Sequence, residues 1–76
     1  MGKFIQYDLQ SNTLLIQGLT YEQLRRLSNL SGVTALLRAN VALVGDTCHI
    51  TRAISRASWE SLADTAQRLG YDVKEI

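Results

Sequence analysis

The sequence predicts an α+β fold, an antiparallel sheet of four to five strands with two helices on one face. Three observations carry that expectation. Residues 3–9 and 13–18 each alternate apolar and polar residues on either side of Gln10-Ser11-Asn12, the pattern of a β-hairpin. Two later stretches place apolar residues at helical spacing: Tyr21, Leu24, Leu27 and Leu30, then Trp59, Leu62, Ala63, Ala66 and Leu69. The second stretch runs straight into Gly70 and an alternating terminus, Tyr71 to Ile76, and a one-striped helix between strands lays its stripe on a sheet.

In the hairpin, Ile5, Tyr7 and Leu9 share one face with Leu14 and Ile16, while Phe4, Gln6, Leu15 and Gln17 share the other. Asn12 is the residue expected in a left-handed conformation at the turn. Thr20-Tyr21-Glu22-Gln23 is a capping-box pattern: the Thr20 hydroxyl satisfies an orphan N–H and Gln23 reaches back to the cap. The first helix is expected over residues 20–31, with Glu22, Arg25, Arg26 and Asn29 facing water and Ser31-Gly32 ending it. Residues 33–40 fit either strand or helical turn. Strands are expected at 41–45 and 47–53 around Gly45-Asp46, with Gly45 supplying the turn's unusual φ. Arg52 falls on the apolar phase of its strand, so either the strand ends near Thr51 or Arg52 lies at an edge and carries its charge to water. Ser55 and Ser58 both offer N-caps to the second helix; Ser58 is favoured, giving residues 58–69, with a last strand at 71–75. The expected core is Ile5, Tyr7, Leu14, Ile16, Leu24, Leu27, Val33, Leu43, Cys48, Ile50, Trp59, Leu62, Ala66, Leu69 and Val73.

Seventy-six residues make one domain, residues 1–76, with a small core. A single Cys allows no internal disulfide and suits a reducing compartment, so the cytoplasm is expected. No apolar run approaches membrane-spanning length, and residues 1–6 lack the apolar core of a signal peptide. Net charge is +1, far from the basic balance of a duplex nucleic-acid binder.

No residue pattern signals catalysis, and no cofactor or metal is expected. Cys48 and His49 are adjacent, but neighbours on a strand point to opposite faces and cannot act together. Glu60 and Asp64 lie one turn apart on the polar side of their helix. Gly45-Asp46-Thr47 has no following Lys to make a phosphate loop.

The order strand, helix, strand pair, helix, strand is the ferredoxin-like pattern, here preceded by one further strand. Leu30-Ser31-Gly32-Val33 after the first helix and Leu69-Gly70-Tyr71-Asp72-Val73 after the second resemble the heavy-metal-associated domain family. The resemblance spans roughly residues 14–76 and implies the fold. It does not imply metal carriage: that family places two Cys, two residues apart, where this chain has Gly18-Leu19-Thr20-Tyr21-Glu22.

The expected function is a small non-enzymatic protein-binding module: an adaptor, a regulatory subunit or an inhibitor. It would act through the exposed face or edge of the hairpin, with Phe4, Gln6, Leu15 and Gln17 as contacts. The partner is another protein or a second copy, giving a homo-oligomer. The alternative is single-stranded nucleic acid on the open sheet face, with Phe4 stacking and Arg25, Arg26 or Arg52 meeting phosphates. A degenerate metal carrier stands last.

Overall fold

The computed structural model describes residues 3–38 and 41–76. Along them run β1 (Phe4–Asp8), β2 (Thr13–Leu19), α1 (Tyr21–Ser31), a 3-10 segment (Thr34–Arg38), β3 (Ala42–Val44), β4 (Thr47–Ala53), α2 (Arg56–Arg68) and β5 (Val73–Glu75). Of residues 33–40, Thr34–Arg38 is therefore 3-10 helical, and residues 39–40 lie outside the described residues.

Local chemistry explains the boundaries. Asn12 takes φ 55, and the Asp8 carboxylate accepts the Gln10 N–H at 2.9 Å, which closes the hairpin turn. Both arms of the capping box form at α1: Gln23 N–H donates to the Thr20 hydroxyl at 3.2 Å, and Thr20 N–H to the Gln23 side chain at 2.9 Å. Gly32, at φ 76, ends α1 in the left-handed conformation, where a Cβ would be strained. α2 starts earlier than expected. Ser55, not Ser58, is its N-cap, and the Ser55 hydroxyl accepts the Ser58 N–H at 3.2 Å.

The strand order is β3-β4-β2-β1-β5. β1–β2, β2–β4 and β3–β4 pair antiparallel, but β1 and β5 run parallel, so the sheet is mixed rather than antiparallel throughout. The reason is topological: after α2 the chain returns to the free side of β1 running in β1's own direction. Both hairpin strands are consequently interior, and the hairpin has no free edge for strand addition.

One buried cluster unites sheet and helices. Ile5, Tyr7, Leu14, Ile16, Cys48 and Ile50 enter it from one face of the sheet, and Leu24, Leu27, Trp59, Leu62 and Ala66 from the helices. Leu19, Leu36 and Ile54 are buried in it too. Leu19 gets there through a bulge. Gly18 sits at φ 84 and the β2–β4 register shifts between Gln17 and Leu19, so Leu19 takes the core position opposite Cys48. Leu43 is not core but 68% exposed, on a three-residue strand at the sheet margin. Leu69 and Val73 are half-buried against the core rather than inside it. Tyr21 and Leu30, in the first and last turns of α1, and Leu9, one residue past the end of β1, are exposed rather than inward.

At the centre Tyr7 and Trp59 stack with ring centroids 4.9 Å apart and planes inclined by 8°. The Tyr7 hydroxyl is 2.9 Å from both the Ile54 carbonyl and Asn12 Oδ1, and Ile54 N–H donates to the Asn12 carbonyl at 3.0 Å. Those bonds tie the hairpin turn to the segment leading into α2. The Trp59 indole N–H donates to Glu75 at 2.9 Å, tying α2 to β5. No helix among the described residues is long and apolar enough to cross a membrane.

Candidate interaction surface

Alternation on the strands sends one set of side chains into the core and leaves the other set outside. The cross-strand register shows what that second face holds. Phe4 lies opposite Gln17, Gln17 opposite His49, and His49 opposite Ala42. In the next row Lys74 pairs with Gln6, Gln6 with Leu15 and Leu15 with Thr51. Phe4, Gln6, Leu15 and Gln17 therefore form one contiguous patch across β1 and β2, as their sequence phase predicts. Phe4 is 37% exposed; Gln6 and Leu15 are half-buried by their neighbours, and Gln17 is exposed.

A polar bridge borders this patch. Gln17 Nε2 donates to His49 Nδ1 at 3.3 Å, and the opposite ring nitrogen, Nε2, lies 3.4 Å from the Thr51 hydroxyl. The tautomer with its proton on Nε2 satisfies both contacts. His49 is thus fixed on the open face, while Cys48 points into the core at 1% exposure. Burial pushes the Cys48 thiol up from its ordinary pKa of 9.0, so it is less of a thiolate than a free cysteine. The adjacent pair does not converge, as their alternation requires.

The arginines go elsewhere. Arg25 and Arg26 are exposed on α1, whose buried side belongs to the core cluster, so they do not border Phe4. Arg52 is half-buried on the core phase of β4, opposite Leu14, and the strand continues past it to Ala53. Phe4 and the three arginines do not form one surface. Arg68 pairs with Asp64 at 3.2 Å on the exposed side of α2. Among the described residues, no three His, Cys, Asp or Glu side chains gather to hold a metal ion.

Two further surface features have no local signal in the sequence. Leu43 and Val44, both more than 60% exposed, put an uncharged edge strand at the β3 margin. A trough runs between the consecutive elements α2 and β5, with Trp59 and Val73 in its lining. Compared with protein-family models, with curated proteins and with solved structures, the chain matches none.

Proposed function

We propose that this chain is a small non-enzymatic protein-binding module, an adaptor or regulatory subunit, that docks a partner on the open face of its sheet. The observation that carries the reading is the patch of Phe4, Gln6, Leu15 and Gln17. It lies on the side of β1 and β2 away from the core cluster. An aromatic ring and a leucine flanked by amide side chains make the mixed apolar and polar composition of a protein interface. The interior position of β1 directs the partner to the face of the hairpin rather than its edge.

With β1 set aside, β2–α1–β3–β4–α2–β5 follows the ferredoxin-like order of elements, and β1 lies between β2 and β5 as an added strand. That insertion widens the open face, and both helices then cover the opposite side. The proposed setting is the cytoplasm, which suits a buried free cysteine.

Affinity capture from a lysate, with Phe4→Ser/Leu15→Ser as the paired control, tests the reading. A partner retained by the parent chain and lost by a folded double variant supports it. Equal retention by both chains refutes the assignment to this face. An absence of partners together with a clean monomer refutes the module.

A further inference from the structure

β5 is the outer strand on one side of the sheet, and its backbone groups are arranged asymmetrically. Ile76 N–H donates to the Tyr7 carbonyl and the Ile76 carbonyl accepts Leu9 N–H, both at 2.9 Å. Backbone groups of successive residues turn to opposite sides of a strand, so Lys74 also addresses β1. The N–H and C=O groups of Val73 and Glu75 then face outward, the arrangement onto which another strand adds.

Beside that edge runs a trough of about 370 Å³ between β5 and α2, lined by Trp59, Glu60, Ala63, Asp64, Val73 and Glu75. Its floor is apolar and its charged lining is wholly acidic. Lys74, the cation of β5, lies on the other face in register with Gln6. Glu75 is held in place by the Trp59 indole, and Asp64 makes an exposed contact to Arg68, which a competing cation can exchange for. Glu60 and Asp64 stand one turn apart, about 6 Å along the helix. Alternate side chains of an extended peptide are spaced by about 6.7 Å, so two of them can meet both carboxylates.

We infer that this trough takes an extended basic segment of a partner protein. The segment adds as a further strand to β5 and sets lysine or arginine side chains against Glu60 and Asp64, their aliphatic stems covering Val73 and Ala63. This surface lies across the sheet from the Phe4 patch and stands independently of it.

The test titrates the full chain with a short peptide of alternating lysine and threonine, followed by amide NMR and hydrogen exchange. Shifts are expected along α2 from Glu60 to Gln67 and along β5, with exchange at the Val73 and Glu75 amides slowed about tenfold at saturation. Replacing lysine by glutamate in the peptide, or methylating its alternate backbone amides, is expected to weaken binding by about tenfold. Glu60→Gln/Asp64→Asn, both changes at exposed positions, is expected to weaken it about threefold or more, and added salt should act in the same direction. Phe4→Ser/Leu15→Ser is expected to bind the peptide as the parent does, which separates this proposal from the open-face reading. Equal binding of the acidic peptide, a footprint outside β5 and α2, or no shifts at millimolar peptide overturns the inference. So does protection of Val73 and Glu75 that rises with protein concentration alone, since a second copy would then occupy the edge.

Discussion

Removing one oxygen atom tests whether Tyr7 holds the fold together. Tyr7→Phe keeps the ring and its stack on Trp59 but deletes the hydroxyl that lies 2.9 Å from the Ile54 carbonyl and from Asn12 Oδ1. Tyr7 is fully buried, so water cannot replace the lost donor at the Ile54 carbonyl. An acceptor left unsatisfied in that way costs about 1–3 kcal/mol. A chain of this length is stable by about 4–11 kcal/mol in total, so the loss is a sizeable share of it. A change of about 2 kcal/mol lowers Tm by about 8–16 °C in a domain of this size. Thermal and urea unfolding followed by circular dichroism read the effect; the urea midpoint should fall with the slope m unchanged. Asn12→Ala, made alone and with Tyr7→Phe, completes the cycle, and the double variant should lose less than the sum because both changes break one network. A Tyr7→Phe loss below about 0.5 kcal/mol would refute the reasoning, since that is the scale of an unremarkable surface change. Strict additivity would show that the hydroxyl and Asn12 do not act together.

Other expectations follow from single contacts. Thr20→Ala breaks the capping box and should cost about 1 kcal/mol by urea titration, with little further loss when Gln23→Ala is added. Glu75→Ala removes the acceptor of the Trp59 indole and should cost about 1 kcal/mol, whereas Glu75→Gln, which keeps a carbonyl oxygen, should restore most of it. For Cys48 the folded pKa is raised by burial, so the folded state prefers the protonated thiol. Stability from this group is complete below the ordinary pKa of 9.0 and declines as pH rises above it. Urea midpoints should therefore fall more steeply above about pH 9 in the parent than in Cys48→Ala.

The hairpin, both helices and the capping residues were legible because each rests on neighbours in sequence. Asn12, Thr20, Gln23 and Gly32 act within one turn of themselves, so their chemistry can be read without the fold. The start of α2 was misplaced at Ser58, although a local signal for Ser55 is present in the sequence. With Ser55 as the cap, Ile54 and Trp59 take the N′ and N4 positions of a hydrophobic staple, and both are buried. Leu19 and Leu24 stand in the same relation at α1, and reading that pair would have placed Leu19 in the core.

The position of β1 was not legible. A strand such as Phe4–Asp8 alternates in the same way at an edge or in the middle, and its parallel partner lies at the far end of the sequence. The phase shift at Gly18 was equally hidden, because a glycine near a strand end reads as a stop before it reads as a bulge. For the candidate surface, the face shared by Phe4, Gln6, Leu15 and Gln17 was legible from alternation alone. The separation of Arg25, Arg26 and Arg52 from that face depends on tertiary packing. The trough between α2 and β5 was not legible because it depends on where β5 enters the sheet, beside β1 at the margin.

The central claim, that the open sheet face is where a partner docks, is tested most directly by photocrosslinking in living cells. Benzoylphenylalanine placed at Phe4 extends an aromatic ring already 37% exposed on that face, and the same probe at Arg25 reports from the outer side of α1. The account predicts a discrete, ultraviolet-dependent adduct from position 4 and none from position 25, with the position-4 adduct lost when Leu15→Ser is added. Adducts from position 25 alone, or an adduct at position 4 that survives Leu15→Ser unchanged, would contradict it.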